Sequence, residues 1–253
     1  MKQLKLSIIV PVYNEARTVG ELLQQVYNVE LGKNIAKEVI IIESNSSDNS
    51  RNIILNFKDR PDTVIILEDK PKGKGRAVRK GLKKATGDII IIQDADLEYS
   101  AQDYSKLITP IINNEVDFVL GSRNFKTKEW KIRRMKDHKF YASMLNIGGY
   151  VVNWLFNFIY GTDFSDQATM FKVFRRDLLN CFTLESDYFA LDIELLAKIS
   201  LTRCRRKEVH VSYKARTIAE GKKTRVFREL FSLTHALLKY RFAHVKRYRS
   251  VPL

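Results

Sequence analysis

Apolar residues in the first half of the chain come in short, nearly unbroken runs separated by stretches of helical period. The runs at Leu6–Val10, Glu38–Ile42, Thr63–Leu67, Ile89–Ile92 and Phe118–Leu120 are rich in β-branched residues and predict strands. Continuous apolar runs of this length are expected of parallel strands covered on both faces. Between them, Thr18–Val29, Asp48–Phe57, Gly75–Ala85 and Gln102–Asn113 predict helices. Strand–helix alternation at this spacing implies an open α/β sheet with right-handed crossovers. The second half reads differently. Tyr141–Thr162 is a run of 22 residues without a charge, about the length of a membrane span. Asn146, Gly149, Asn153 and Asn157 recur within it at helical spacing as one polar stripe. That pattern favours an amphipathic helix, lying at a bilayer interface or packed on the domain, over a spanning one. Phe189–Ile199 predicts a helix, Arg206–Tyr213 a strand by alternation, and Phe227–Phe242 an amphipathic helix running into a basic tail. No repeat, low-complexity tract or linker divides the chain, so a single domain over 1–242 with a tail over 243–253 is expected.

In an open α/β sheet, ligands sit beyond the carboxyl ends of the strands. Here those positions are unusually polar: Pro11-Val12-Tyr13-Asn14-Glu15 after the first strand, and Glu43-Ser44-Asn45-Ser46-Ser47-Asp48 after the second. Glu68-Asp69-Lys70 and Lys72-Gly73-Lys74-Gly75 follow the third, Asp94-Ala95-Asp96-Leu97-Glu98 the fourth, and Gly121-Ser122-Arg123 the fifth. Loop polarity and helix capping explain any one of these; five together favour a site. The glycines at 73 and 75 fit neither a P-loop nor a dinucleotide fingerprint, since Val78 stands where a third glycine is required. Asp94-Ala95-Asp96 is the strongest chemical feature. Two carboxylates one residue apart at the end of a buried strand converge on one divalent ion, with Glu98 two positions further on. Hard oxygen ligands select Mg²⁺ or Mn²⁺, and such an ion neutralises a diphosphate.

Charge sharpens this picture. The chain carries +15 overall, distributed as +1 over residues 1–125, +5 over 126–139, −3 over 140–202 and +12 over 203–253. Two basic segments flanking an acidic, apolar stretch suit a phosphorylated ligand or an anionic membrane surface. Only two cysteines, Cys181 and Cys204, are present, without metal-ligand spacing, which excludes a disulfide scaffold and favours a reducing, cytoplasmic setting. The N-terminal apolar run breaks at a proline and a turn and does not read as a signal peptide. The aromatics are not arranged as a nucleic-acid stacking platform, so no nucleic-acid partner is expected.

The ordered set IIVPVYNE, VIIIESNSSDNS, KGKGRAVRKGLKKATGD, DADLE, LGSR, SDQATMFKVFRRD and KARTIAEGKK resembles family 2 glycosyltransferases. The likeness is greatest to the dolichyl-phosphate mannose/glucose synthase-like branch, which includes polyprenyl-phosphate enzymes. It extends from about Leu6 to Phe242. It implies a GT-A fold, a nucleotide-sugar donor, a divalent metal and inversion at the anomeric carbon. On this resemblance residues 1–125 form the nucleotide-sugar half and 126–242 the acceptor half. Pro11, Tyr13 and Glu15 line the nucleotide pocket, Glu43 lies near the base, and Lys74 approaches the phosphates. Asp94, Ala95 and Asp96 form the metal-and-donor motif, with Asp96 the direct ligand and Glu98 where a metal-binding glutamine is usual. Arg123 and Arg216 match basic residues that bind phosphates, and Glu220 and Lys222 complete the pattern that Arg216 begins. Arg133 and Arg134, in the basic 126–139 segment, join Arg123, Arg216 and Lys222 as acceptor-side cations, and Asp166 sits on the acceptor-side loop.

The chain departs from the family pattern in three places. Glu43-Ser44 replaces a paired aspartate, so a UDP- and a GDP-hexose donor stay equally open. Glu98 adds a carboxylate. The acceptor loop lacks its usual glycine. The implied reaction is metal-dependent transfer of a hexose to a polyprenyl phosphate at a membrane surface by a peripherally bound protein, or one held there by a membrane subunit or as a homo-oligomer. Because the acceptor phosphate is already anionic, that reaction needs no strong base. Transfer to a sugar hydroxyl during glycan assembly is the alternative, with Asp166 as base. An inactive, basic binding module is a third.

Overall fold

A computed structural model of the chain describes residues 3–32, 34–125, 139–216 and 226–253. The first half contains β1 (Leu4–Val12), α1 (Val19–Asn28), β2 (Ile35–Glu43), α2 (Ser50–Leu55), β3 (Thr63–Leu67), α3 (Lys74–Lys84), β4 (Ile89–Ile92), α4 (Tyr104–Ile112) and β5 (Phe118–Ser122). Every strand and helix expected there forms, with ends displaced by at most three residues. The second half adds α5 (Lys139–Tyr160), β6 (Lys172–Arg175), α6 (Ala190–Leu201), β7 (Arg206–His210) and α7 (Val226–Arg241).

The seven strands form one sheet in the order β3-β2-β1-β4-β6-β5-β7. It is parallel throughout except at β6, which runs antiparallel between β4 and β5. The mixed α/β architecture with a mostly parallel sheet is as expected; β6 is not, because its four residues begin and end on a cation. Both cations are buried against specific partners. Lys172 Nζ donates to the Thr169 carbonyl and lies 3.7 Å from Asp192, and Arg175 Nε lies 3.2 Å from Asp117.

The core follows from the apolar runs. Leu6, Ile8 and Ile9 of β1, Ile40–Ile42 of β2, Ile89–Ile91 of β4 and Phe118–Leu120 of β5 are fully buried. Helix α3 lies so close to β1 and β2 that a Cβ at Gly81 would sit 2.6 Å from Ile9 and 2.9 Å from Ile42, which is why no side chain is accommodated there. The chain runs from β1 outward to β2 and β3, then returns to place β4 on the other side of β1. That reversal opens a crevice between the carboxyl ends of β1 and β4, the place where such sheets bind ligands.

The uncharged stretch forms α5, and its polarity faces inward. Asn153 Nδ2 and Asn157 Nδ2 each donate to the Phe164 carbonyl at 2.8 Å, and Asn157 Oδ1 accepts from Phe164 N at 3.0 Å and Thr162 Oγ1 at 2.7 Å. Buried Asn146 lies on the same side. The outward face carries Ile147, Tyr150, Val151, Trp154 and Phe158, with the Trp154 and Phe158 rings stacked 5.7 Å apart and Phe158 76% exposed. No described helix is long and apolar enough to cross a membrane.

The C-terminal residues run back over the domain. Tyr248 N donates to the Thr202 carbonyl at 3.0 Å, Tyr248 Oη donates to Asp177, and Ser250 Oγ donates to Asp117 at 2.6 Å.

Candidate active site

The loops after β1 and β2 are laced together by the serine-rich run. Asn14 N donates to Ser46 Oγ at 3.0 Å and Glu15 N to Ser50 Oγ at 2.8 Å, while Asn14 Oδ1 accepts from Ser47 N at 2.7 Å. Ala16 N donates to Asp48 Oδ2 at 3.0 Å. Asn14 and Asn45 both take left-handed backbone, which short amide side chains tolerate. These bonds fix Pro11, Tyr13 and Glu15 on one rim of the crevice, with Tyr13 exposed and Pro11 buried. Glu43 ends β2 as a fully buried carboxylate that accepts from Ser46 N at 2.6 Å and from Arg51 Nε at 2.5 Å.

Across the crevice, β4 ends in the Asp94-Ala95-Asp96 turn. Ala95 is buried, and its carbonyl accepts from Thr18 Oγ1 at 2.7 Å. Leu97 has φ 60°, an unusual value for leucine, and the turn it makes brings Glu98 N back to Asp96 Oδ1 at 3.1 Å. Strained backbone of this kind clusters at functional sites. Lys74, at the start of α3, reaches Asp94 Oδ1 at 2.7 Å and Asp192 Oδ2 at 3.9 Å. Glycine is required beside it. A Cβ at Gly75 would lie 2.5 Å from the Ser186 carbonyl and 2.7 Å from that of Tyr188. Burial works against the Lys74 charge, but Asp94 and Asp192 outweigh it and raise its pKa. Burial pushes the Asp94 carboxyl upward despite Lys74. Asp96 is pushed up to about 7, first by burial, then by Asp94 and Glu98, with Arg216 opposing.

The segment after β7 closes the site from the other side. Arg216 bridges Glu15 Oε2 at 2.8 Å and Asp96 Oδ2 at 3.1 Å. Glu98 Oε1 accepts from Arg216 N and Glu98 Oε2 from Tyr213 Oη, each at 2.9 Å. A cavity of about 580 Å³ opens here, on the α1 side of Asp96, bounded by Glu15, Arg17, Glu21 and Lys214–Arg216.

Arg123 and Asp166 meet as a buried, two-pronged ion pair, with Arg123 Nε on Asp166 Oδ2 and Nη2 on Oδ1, both at 2.7 Å. Burial alone would raise Asp166, but Arg123 overrides it and lowers its pKa; reciprocally, burial would lower Arg123, and Asp166 holds it well above its usual value. The Arg123 guanidinium also lies 4.9 Å from the centre of the Tyr213 ring. A carboxylate held this way is a poor proton acceptor.

The expected residues Pro11, Tyr13, Glu15, Lys74, Asp94, Ala95, Asp96, Glu98 and Arg216 therefore gather at the crevice. Arg123 and Asp166 face one another behind Tyr213, and Glu43 is turned to Arg51. Arg133, Arg134, Glu220 and Lys222 lie outside the described residues. Sequence reading missed three residues. Asp192, in the first turn of α6, stands 3.9 Å from Lys74 and 3.7 Å from Lys172. Lys172 lies within an otherwise apolar run, and burial lowers its pKa despite Asp192. Tyr213 carried no signal beyond ending an alternating segment.

The glycosyl transferase family 2 model matches residues 7–182. The chain belongs to this family. Its residues are 27% identical over 195 positions to dolichol-phosphate mannosyltransferase of Pyrococcus furiosus, covering 77% of this chain and 53% of the relative. They are 24% identical over 236 positions to dolichyl-phosphate beta-glucosyltransferase of Trichomonas vaginalis, covering 88% of this chain and 69% of the relative. The chain thus spans about half the length of the archaeal relative. In fold, this family 2 chain is similar to glucosyl-3-phosphoglycerate synthase of Mycobacterium tuberculosis in complex with Mn²⁺, UDP and phosphoglyceric acid. The TM-score is 0.65 at 16% identity, covering 95% of this chain and 79% of that one. The fold is GT-A, as the motif order implied.

Proposed function

We propose that this family 2 chain transfers a hexose from a nucleoside-diphosphate sugar to a polyprenyl phosphate at a membrane surface, with a divalent metal at Asp94 and Asp96. The observation that carries the reading is the Asp94–Asp96 turn at the β1/β4 crevice, flanked by Lys74 and Arg216. Among the described residues, no three histidine, cysteine or acidic side chains are grouped as a ready-made metal cage. Mg²⁺ and Mn²⁺ are commonly held by one or two carboxylates together with substrate phosphates, so the partly exposed Asp94 and Asp96 fit such an ion when the donor is present. Glu98, tied to Tyr213 and Arg216, also holds the Asp96 turn through its own amide.

The metal's contribution is to neutralise charge that builds on the leaving diphosphate. The chain's own residues do the remainder. Lys74 and Arg216 line the crevice as cations for the departing phosphates, and Pro11, Tyr13 and Glu15 form the rim toward the nucleoside. An oxygen of the acceptor phosphate attacks the anomeric carbon as the bond to the diphosphate breaks, with inversion. Since that oxygen is already anionic, the low basicity of Asp166 is no handicap. Asp166 instead holds Arg123 in place on the acceptor side. The lipid acceptor is supported by the names of the relatives, by the aromatic outer face of α5 and by the net positive charge of the C-terminal sequence.

The test is incubation of the full chain with labelled UDP- and GDP-hexoses, a short-chain prenyl phosphate, and Mn²⁺ or Mg²⁺ or a chelator. Label is expected in the lipid fraction only with metal, and from one of the two donor bases. Label in saccharide acceptors alone would replace the lipid reading, and no turnover of either donor would sink the enzyme reading.

The outer face of α5 gives a separate prediction. Trp154→Ser with Phe158→Ser removes the two stacked rings without touching Asn153 or Asn157. Sedimentation with anionic vesicles is expected to fall about tenfold, since aromatic anchors and basic residues contribute jointly to interfacial binding. Unchanged sedimentation would rule this face out as the contact.

A further inference from the structure

Arg216 is held at a point where two strand ends converge. Glu15 follows β1 and Asp96 follows β4, yet one guanidinium reaches both, at 2.8 and 3.1 Å. The next carboxylates along the motif are also engaged: Lys74 lies on Asp94 and Tyr213 on Glu98. Despite these bonds, Arg216 is not fully satisfied. Its Nε is buried and finds no acceptor among the described residues.

We infer that Arg216 is the counter-ion shared by the Glu15 and Asp96 carboxylates, and that the divalent metal reaches Asp96 by exchanging with this guanidinium. The inference rests on the metal reading above. A guanidinium and a dication cannot both sit within contact distance of one Asp96 carboxylate without strong like-charge repulsion. One must leave. The guanidinium is the mobile partner because it has somewhere to go. Its planar fork matches phosphate oxygens as well as carboxylates, and a bound diphosphate supplies them beside the same carboxylate. The orphaned Nε–H gains an acceptor in that second seat. Arg216 therefore has two positions, one on Glu15 and Asp96, the other on the donor's phosphates. Metal without donor has to displace it unaided; metal with donor does not.

The measurement is Mn²⁺ binding to the full chain, followed by the electron paramagnetic resonance signal of free Mn²⁺, without nucleotide and then with UDP. Without nucleotide, Arg216→Met is expected to bind Mn²⁺ about tenfold more tightly than the unaltered chain, as removal of a competing state raises apparent affinity. Arg216→Lys, which keeps the charge on a shorter reach, is expected to fall between them, and it serves if the methionine variant does not fold. With UDP present the order is expected to reverse, because the methionine variant lacks the phosphate partner. Equal or weaker Mn²⁺ binding by Arg216→Met without nucleotide would overturn the exchange while leaving the metal reading intact. Absence of Mn²⁺ binding by every chain at millimolar metal, with transfer persisting in chelator, would overturn both.

Discussion

Asp96→Asn is expected to lower hexose transfer by about a thousandfold or more while leaving the thermal melting temperature unchanged or slightly raised. A loss of that size corresponds to about 4 kcal/mol of transition-state stabilisation, within the range a metal clamp on a leaving group supplies. The stability half of the expectation follows from the surroundings. Asp96 is held against burial and against Asp94 and Glu98, so neutralising it relieves unfavourable charge. Arg216 retains Glu15 at 2.8 Å. Glu98 N has only to exchange a carboxylate for an amide oxygen of the same shape. Transfer rates and melting curves on the same preparation check both halves. A variant keeping more than a tenth of the activity would remove Asp96 from the reaction, and a melting point lowered by many degrees would make the activity loss uninformative.

Asp166→Ala is expected to cost about 3–5 kcal/mol of folding stability, the range for breaking one side of a buried ion pair. Arg123 has a side chain only 7% exposed, and its two 2.7 Å bonds to Asp166 would be lost together. Contact with the Tyr213 ring does not replace a carboxylate. The pair also sets a pH dependence. A carboxyl whose pKa is lower folded than unfolded stabilises the fold above its unfolded pKa, and that contribution is lost as pH falls through the folded one. The penalty of the variant is therefore expected to be full at neutral pH and to shrink in acid, where the unaltered chain loses the same interaction. Urea denaturation at the two pH values reads this directly. If Arg123→Met is added to Asp166→Leu, most of the loss is expected to return, since an apolar pair of similar volume often equals a buried ion pair. A single-variant cost below about 1 kcal/mol would show that water reaches the pair.

The first half of the chain was legible because its signals are local. Ile89–Ile92 is a strand from its own residues, and the rule that ligands gather beyond parallel strand ends then points to Asp94, Asp96 and Glu15 without knowledge of contacts. What escaped depends on partners far along the chain. Strand β6 reads poorly because a lysine and an arginine at its ends look like surface, and distant partners, among them Asp192, Asp117 and Asn114, make their burial tolerable. Asp192 itself is unremarkable in sequence until Lys74 and Lys172 are placed beside it. The asparagine stripe of α5 was visible, but not that its hydrogen bonds would turn it toward Phe164 and leave the aromatics outside. The C-terminal residues show only as charge in the sequence, whereas Tyr248 and Ser250 fasten to Asp177, Thr202 and Asp117.

Glu98 joins the Asp96 turn after β4 to the segment after β7. Its carboxylate and carbonyl hold Tyr213, Lys214 and Arg216, while its own amide holds Asp96. Tyr213 in turn lies under Arg123, on the side proposed for the acceptor. Two ligands that each shift this shared strap cannot bind independently. Whatever factor the donor imposes on acceptor affinity, the acceptor imposes on the donor, because the coupling is one free energy counted from either end. On the proposed function, a change at Glu98 is therefore expected to move donor and acceptor affinity together.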